Sequence, residues 1–183
     1  MSVQGLWAGP WLSDVAGLER SNVALHLLML GAATMFGFLF WGAFATRMSR
    51  RGIQPIVVLI WATSAYLVLQ LLLVFEVTRL SWAIWVGWGL LGTSGSLAFS
   101  IISQIFPAQL TGRATTAQNL LIFLTAFGSQ WLFGIILNQW DVVDGGYNPQ
   151  GYVQAFSIFL CLQVVGFIWM VRGYLKRGAS RLN

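Results

Sequence analysis

Five long apolar runs, separated by short polar stretches, dominate the hydrophobic pattern of this 183-residue chain. A helix needs about 20 apolar residues to cross the roughly 30 Å hydrocarbon core of a bilayer, and each run reaches that length. Lipid offers no partner to a free peptide group, and the alternation typical of a barrel strand is absent, so each run is predicted to be a helix. The predicted spans are residues 24–45, 53–75, 81–106, 115–138 and 152–171.

The opening segment MSVQGLWAGPWLSD is apolar but too short to cross a bilayer, and it lacks the pattern of a signal peptide. Two interpretations stay open. It is the end of a truncated transmembrane helix, or it is an interfacial segment with Trp7 and Trp11 in the head-group region. The first gives a division into residues 1–13, the end of that helix, and residues 14–183, a five-helix membrane bundle whose tail covers residues 172–183.

Composition supports a membrane protein. Hydrophobic residues make up 57% of the chain and charged residues 8%, with a mean hydropathy of +0.74, whereas soluble domains carry roughly 25% charged residues. The single cysteine, Cys161, excludes an internal disulfide and a cysteine metal cluster. The predicted fold is therefore all-α, a polytopic transmembrane bundle in contact with the lipid bilayer.

The connections between the spans alternate in charge. All five acids fall in one set of connections, and eight of the ten basic residues fall in the other. The positive-inside rule places the basic set in the cytoplasm, which puts the C-terminus inside and residues 14–23 outside. The net charge of +5 thus marks topology and contact with anionic lipid rather than nucleic acid. The predicted location is a bacterial inner membrane.

Few residues could support chemistry. No Asp, Glu, Lys or Arg lies in the middle of a span, and such residues usually mark ion pathways. The one histidine, His26, is predicted to be an interfacial or helix-contact residue. Because metal sites need several His, Cys or carboxylate ligands, we expect no metal site, no cofactor and no enzymatic activity.

Neutral polar and small residues remain inside the spans. Gly92, Ser96 and Ser100 repeat every four residues, and Asn119 and Gln130 share a broad face of the fourth span. Each face is either a helix-packing surface or the lining of a water-filled cavity. Gln70, among leucines in the second span, is predicted to form an interhelical hydrogen bond. The fifth span is predicted to face lipid.

Two connecting segments carry a family resemblance. GAFATRMSRRG, residues 42–52, resembles the signature between the second and third helices of each half of a major facilitator superfamily transporter. Thr46 replaces the acid of that signature and Ser49 replaces its second glycine. FPAQLTGRATTAQNLLIF is similar to the link between helices ten and eleven of the same family. The matching residues of the two predicted cytoplasmic loops are Gly42, Ala45, Arg47, Arg50, Arg51, Gly112 and Arg113.

The resemblance implies the C-terminal half of such a transporter, from the end of helix seven to helix twelve. In the family two halves rock about a central site, so the implied activity is alternating-access transport of a small polar or anionic solute. The implied partner is the missing N-terminal half, without which the chain is expected to be inactive. Family helices seven, eight, ten and eleven face the cavity, which makes the substrate-cavity candidates Gln4, Trp7, Thr34, Ser94, Asn119 and Gln130.

A second interpretation stays open beside the transporter. The chain is a small five-span interaction or assembly subunit, which uses its glycine and serine faces to bind a partner membrane protein.

Overall fold

A computed structural model describes residues 2–179. Its helices are α1 (Ser2–Asp14), α2 (Arg20–Ser49), α3 (Pro55–Val74), α4 (Ser81–Gly92), α5 (Leu97–Ile105), α6 (Ala108–Leu137) and α7 (Pro149–Ala179), and a 3-10 turn, Thr93–Ser96, joins α4 to α5. Within residues 2–179 there is no β-strand. The protein is an all-α polytopic helical bundle, as predicted.

All five predicted spans are present. Helices α2, α3, α6 and α7, together with the continuous segment Ser81–Ile105, are long and apolar enough to cross a membrane. The chain is therefore an integral membrane protein in contact with lipid. Residues 81–106 were predicted as one unbroken span, but the 3-10 turn interrupts it, because the small residues TSGS have little preference for an α-helix.

The helices alternate in direction and give the bundle two chemically different ends. The end of the bundle at which α1, α3 and α6 terminate is called the acidic end. The opposite end, at which α2 and α5 terminate, is called the basic end. At the acidic end Asp14 of α1 contacts Tyr147, which follows α6. At the basic end Gln54, Gln104 and Gly173 line one groove.

Helices α2 and α4 run parallel and in close contact. A Cβ atom at Gly37 would lie 2.9 Å from the Leu90 carbonyl oxygen, and one at Gly89 would lie 2.9 Å from that of Leu30. Glycine at these two positions therefore lets the backbones approach each other. Trp41 Nε1 donates a hydrogen bond of 2.7 Å to the Leu90 oxygen, which holds the two helices in register.

Two predictions about single polar residues are confirmed. Gln70 Nε2 of α3 donates a hydrogen bond of 3.1 Å to the Phe156 oxygen of α7, so Gln70 does join two helices. His26 of α2 is a helix-contact residue, since its Nε2 atom lies 3.3 Å from Ser81 Oγ at the start of α4.

A clasp at the acidic end ties α1 to the connection between α6 and α7. Asp14 Oδ2 accepts hydrogen bonds from the Tyr147 amide at 3.1 Å and from the Tyr152 hydroxyl at 2.8 Å. The connection can reach Asp14 because a tight turn folds it back: Asp144 (φ 50) and Gly145 (φ 80) both adopt the left-handed region that two-residue hairpin turns require. We name Asp14, Tyr147 and Tyr152 the acid-end clasp.

The two halves of the bundle pack differently. The larger core cluster lies toward the acidic end and includes Trp11, Trp85 and Phe133. A smaller cluster around Trp41, Met48, Val58 and Leu97 joins α2, α3 and α5 toward the basic end. The N-terminal half of α6 belongs to neither cluster, and most of its side chains from residue 108 to 125 are exposed.

Candidate functional site

The six cavity candidates fall in three different places. Gln4, Trp7 and Gln130 lie at the contact of α1 with α6, Thr34 and Ser94 lie in the region where α2 meets α4, and Asn119 lies alone on the exposed half of α6. The structure therefore brings three of the six together and separates the others from them.

The α1–α6 contact is the most enclosed of these places. Five of the described residues of α1 are buried, and they recur at the three- and four-residue spacing that places side chains on one face of a helix. That face consists of Gln4, Trp7, Ala8, Trp11 and Leu12. The Trp7 ring stacks on Phe133 with the centroids 5.3 Å apart. A Cβ atom at Gly134 would lie 3.1 Å from the Trp7 ring, so the small glycine admits the indole.

Two glutamines lie one turn deeper in the same contact. Gln4 precedes Trp7 by three residues, and Gln130 precedes Gly134 by four. Since α1 and α6 run in the same direction and both end near the acid-end clasp, the two glutamines lie at the same level of the bundle. The Oε1 atom of Gln4 is buried and has no hydrogen-bond partner within the part of the chain that the structure describes. A side-chain amide in this position can donate and accept, as a small polar solute requires.

A ring of aromatic side chains continues from Trp7 across the acidic half. The ring-centroid distances are 5.3 Å from Trp7 to Phe133, 5.0 Å from Phe133 to Phe156 and 5.6 Å from Phe156 to Trp88. Trp88 lies 4.8 Å from Trp85, and Trp85 lies 5.6 Å from Trp11, which is one turn from Trp7 on α1. These six side chains form what we call the aromatic ring: Trp7, Phe133, Phe156, Trp88, Trp85 and Trp11.

The aromatic ring contains buried hydrogen-bond donors. The Nε1 atoms of Trp7, Trp11 and Trp85 are buried, and none of them has a partner among residues 2–179. A buried donor without a partner costs about 1–3 kcal/mol, so three in one cluster are unusual. The acidic half thus places N–H groups among closely packed apolar ring faces.

Sequence reasoning missed most of this ring. Trp7 is a cavity candidate in the sequence analysis, whereas Trp11 is named only in the interpretation that places the opening segment in the head-group region, and Trp85 and Trp88 are not singled out. A signal was present, because Trp7 and Trp11 are four residues apart and Trp85 and Trp88 are three apart. Each pair therefore shares one helix face.

Thr34 and Ser94 occupy a different environment. Thr34 Oγ1 donates to the Leu30 oxygen of its own helix at 2.8 Å, and it would lie 2.9 Å from a Cβ atom at Gly89. Ser94 is buried within the 3-10 turn. Thr34 therefore contributes to the close α2–α4 contact, and Ser94 lies inside the turn that packs beside it.

The small-residue stripe of the third span ends on an exposed surface. Ser100 is exposed, and it accepts a hydrogen bond from Gln104 of its own helix. A close approach to a neighbouring backbone occurs at Gly89, which lies nearer the acidic end and is not part of that stripe.

The two predicted loop motifs lie largely within helices. Helix α2 continues to Ser49, so Gly42, Ala45 and Arg47 are helical and the true loop is short. Ala45 is buried in the smaller core cluster, which stabilises the helix through packing. Arg47 lies in its last turn, where a positive charge is favoured by the helix dipole. Arg50 and Arg51 follow the helix end and are exposed.

The second motif shows the same difference. Helix α6 begins at Ala108, directly after Pro107, so Gly112 and Arg113 lie in its early turns rather than in a loop. Proline at a helix start is favourable, because its fixed φ suits the first turn and its missing N–H is not needed there. Both residues are exposed.

Asn119 lies in the exposed half of α6. It shares a helix face with Ala126 and Gln130, since the three are spaced by seven and eleven residues. Toward the acidic end this face contacts α1, but around Asn119 it is open.

No protein-family model, no curated protein and no solved structure matches this chain.

Proposed function

We propose that this chain is the C-terminal half of a facilitator-type secondary transporter, which moves a small polar or anionic solute by alternating access. The chain is not an enzyme in this proposal, and it needs a second half to act. The basic end faces the cytoplasm of a bacterial inner membrane, because eight of the ten basic residues lie in that set of segments.

One observation carries the proposal. The α6 face that holds Asn119, Ala126 and Gln130 is half-buried in the acidic half and open in the basic half. An amide side chain exposed to hydrocarbon is unfavourable, because lipid offers it no hydrogen bond. The open part of this face is therefore expected to line water or to contact another protein segment, and a transport cavity between two halves provides both.

Asn119 lies below the membrane surface at the basic end. It lies six residues beyond Arg113, which corresponds to about 9 Å along the helix axis. Arg113 belongs to the basic end, where a head-group phosphate can reach it, so Asn119 lies deeper than the membrane surface. A polar side chain therefore lies within the span.

Cysteine accessibility in the native membrane tests the proposal. In a Cys161→Ser background, Asn119→Cys would report the open face. Leu121→Cys is the matched control, because Leu121 is 64% exposed but lies on the opposite side of α6. A membrane-impermeant thiol reagent should label Asn119→Cys about tenfold faster or more, since a thiolate does not form in hydrocarbon.

The other outcomes contradict the proposal. If neither cysteine is labelled, the face is dry, and the interaction-subunit interpretation replaces the transporter. If both are labelled equally, this part of α6 lies outside the membrane. Both results would remove the polar cavity on which the transport function depends.

The need for a second half has its own experiment. A tag at the C-terminus of the chromosomal gene allows the tagged membrane protein to be sized and purified in mild detergent. We expect either a polypeptide of about twice 20.3 kDa or a stoichiometric membrane partner. A lone 20.3 kDa monomer would contradict the requirement for a second half.

A further inference from the structure

A groove of about 640 Å³ opens at the basic end between α3, α5 and α7. Ligand sites commonly measure roughly 300–1,000 Å³, so the groove can hold a substantial part of a small amphiphile. It lies apart from the α1–α6 contact and from the aromatic ring. Its main lining residues are Gln54, Ile56, Ile101, Gln104, Trp169 and Tyr174.

The polar and apolar residues of the groove are sorted by depth. Helix α3 runs away from the basic end, so Gln54 lies nearer the surface than Ile56. Helices α5 and α7 run toward it, so Gln104 lies nearer the surface than Ile101. In the same way Tyr174 lies nearer the surface than Trp169. The groove thus has an apolar floor and a rim that is polar except for Ile105, which suits a molecule with a polar head and a hydrocarbon chain.

Basic residues lie beside the lining residues of the rim in the sequence. Arg51 precedes Gln54 by three residues, and Arg172 and Lys176 lie beside Gly173 and Tyr174 on α7. Lys176 follows Gly173 by three residues, so it lies near the groove side of the helix. All three basic side chains are exposed, and all five acids of the chain belong to the segments of the acidic end. Positive charge beside the rim therefore favours an anionic head group.

The floor is open to the side. Trp169 is 81% exposed, although it lines the groove. In a membrane this opening faces the hydrocarbon of the leaflet at the basic end, since α3 and α7 are transmembrane helices. A ligand can therefore enter laterally from the bilayer, with its chain against Trp169 and its head at the rim.

We propose that this groove binds one anionic phospholipid from the leaflet at the basic end. Its phosphate is held by Arg51 and Lys176 with hydrogen bonds from the rim amides, and one acyl chain lies against Ile56, Ile101 and Trp169. The site does not depend on the transport function, because none of its residues belongs to the α1–α6 contact.

The experiment uses the full chain, purified from the native membrane in mild detergent with any partner that it retains. Native mass spectrometry counts bound phosphatidylglycerol and phosphatidylethanolamine, each added at matched concentration. We expect one phosphatidylglycerol per chain, with a preference of about tenfold or more over phosphatidylethanolamine. Phosphatidylglycerol brominated in its acyl chains should quench tryptophan emission, and Trp169→Phe should remove most of that quenching.

Two glycines of α7 offer a matched pair of variants. Gly173 lines the groove, and a Cβ atom there would meet nothing within 4 Å, so Gly173→Leu fills the groove without a backbone clash. Gly166 is equally open but does not line the groove. Gly173→Leu should abolish the one-to-one phosphatidylglycerol complex, whereas Gly166→Leu should retain it. Removing the positive charges beside the rim with Arg51→Gln and Lys176→Gln should make the binding of phosphatidylglycerol and phosphatidylethanolamine equal.

Three results would overturn the proposal. The first is equal binding of the two lipids by the unchanged protein. The second is equal loss of binding in Gly173→Leu and Gly166→Leu, which would indicate general destabilisation. The third is displacement of the lipid by millimolar inorganic phosphate, which would assign the rim to a free anion rather than to a membrane lipid.

Discussion

The acidic half and the basic half of the bundle are built from similar apolar residues but differ in how they bury them. Toward the acidic end, tryptophans from α1 and α4 and phenylalanines from α6 and α7 interlock in one cluster. Toward the basic end, most side chains in the first half of α6 are exposed, and Trp169 of α7 is 81% exposed. Stability is therefore concentrated in one half, while the open surfaces that suit a partner or a lipid are concentrated in the other.

The physical basis of this difference is packing rather than hydrophobicity. Lipid tails are as apolar as leucine, so moving an apolar side chain from lipid into the bundle gains little by itself. What stabilises the acidic half is close contact of large rings. Changes in that half should therefore be costly, and similar changes in the basic half should be tolerated.

The largest expected effect comes from removing a ring in the acidic half. Trp85 is fully buried and contacts both Trp11 and Trp88. Trp85→Ala should lower the free energy of unfolding by about 3–5 kcal/mol. Trp169→Ala removes an equal side chain from an exposed site, and we expect a change within about 0.5 kcal/mol. Steric-trapping measurements in bicelles give both values. Equal losses would show that the two halves are packed alike.

Two glycines of α2 allow a buried and an open position to be compared by the addition of a single methyl group. Gly37→Ala places a Cβ atom 2.9 Å from the Leu90 oxygen. The resulting overpacking should destabilise the protein by about 1–3 kcal/mol. Gly31→Ala on the same helix meets nothing within 4 Å, so helix propensity should make it neutral or stabilising by up to about 1 kcal/mol. The same unfolding measurement applies, and effects of one sign at both positions would contradict the α2–α4 contact.

The acid-end clasp is expected to contribute an amount in the same range. Asp14→Ala would leave the Tyr152 hydroxyl and the Tyr147 amide without their acceptor, which should cost about 1–3 kcal/mol. Asp141→Ala is the control, because Asp141 is exposed on the same side of the bundle. Thermal unfolding followed by circular dichroism in detergent compares the two. If the acid-end clasp does not stabilise the protein, the two variants will have the same midpoint of thermal unfolding.

The smallest expected effect is a gain at the end of α3. Glu76 adopts a φ of 51 in the turn after that helix, a conformation that favours glycine. Its Oε1 atom is also buried without a hydrogen-bond partner in the described chain. Glu76→Gly should therefore stabilise the protein by about 1 kcal/mol. Glu19→Gly, at an ordinary φ of −62, should give no such gain. Destabilisation by Glu76→Gly would show that the carboxylate has a structural role.

The sequence alone determined the number of spans, their approximate limits and the separation of charge. These follow from local requirements, because a span needs a certain apolar length and a charged side chain avoids the hydrocarbon. It also identified Gln70 as a link between helices, since an amide among leucines needs a partner inside the protein. Helix ends were less certain, and α2 and α6 extend through segments that were predicted as loops.

Only the tertiary structure decided which apolar faces are buried. In a soluble protein the core side of a helix is apolar and the outer side is polar, but in a membrane both sides are apolar. Trp85 and Trp169 are therefore alike in the sequence, although one is fully buried and the other is 81% exposed. The division of the six cavity candidates among three places, the acid-end clasp and the groove at the basic end all depend on contacts between distant helices. Local pattern does not encode those contacts.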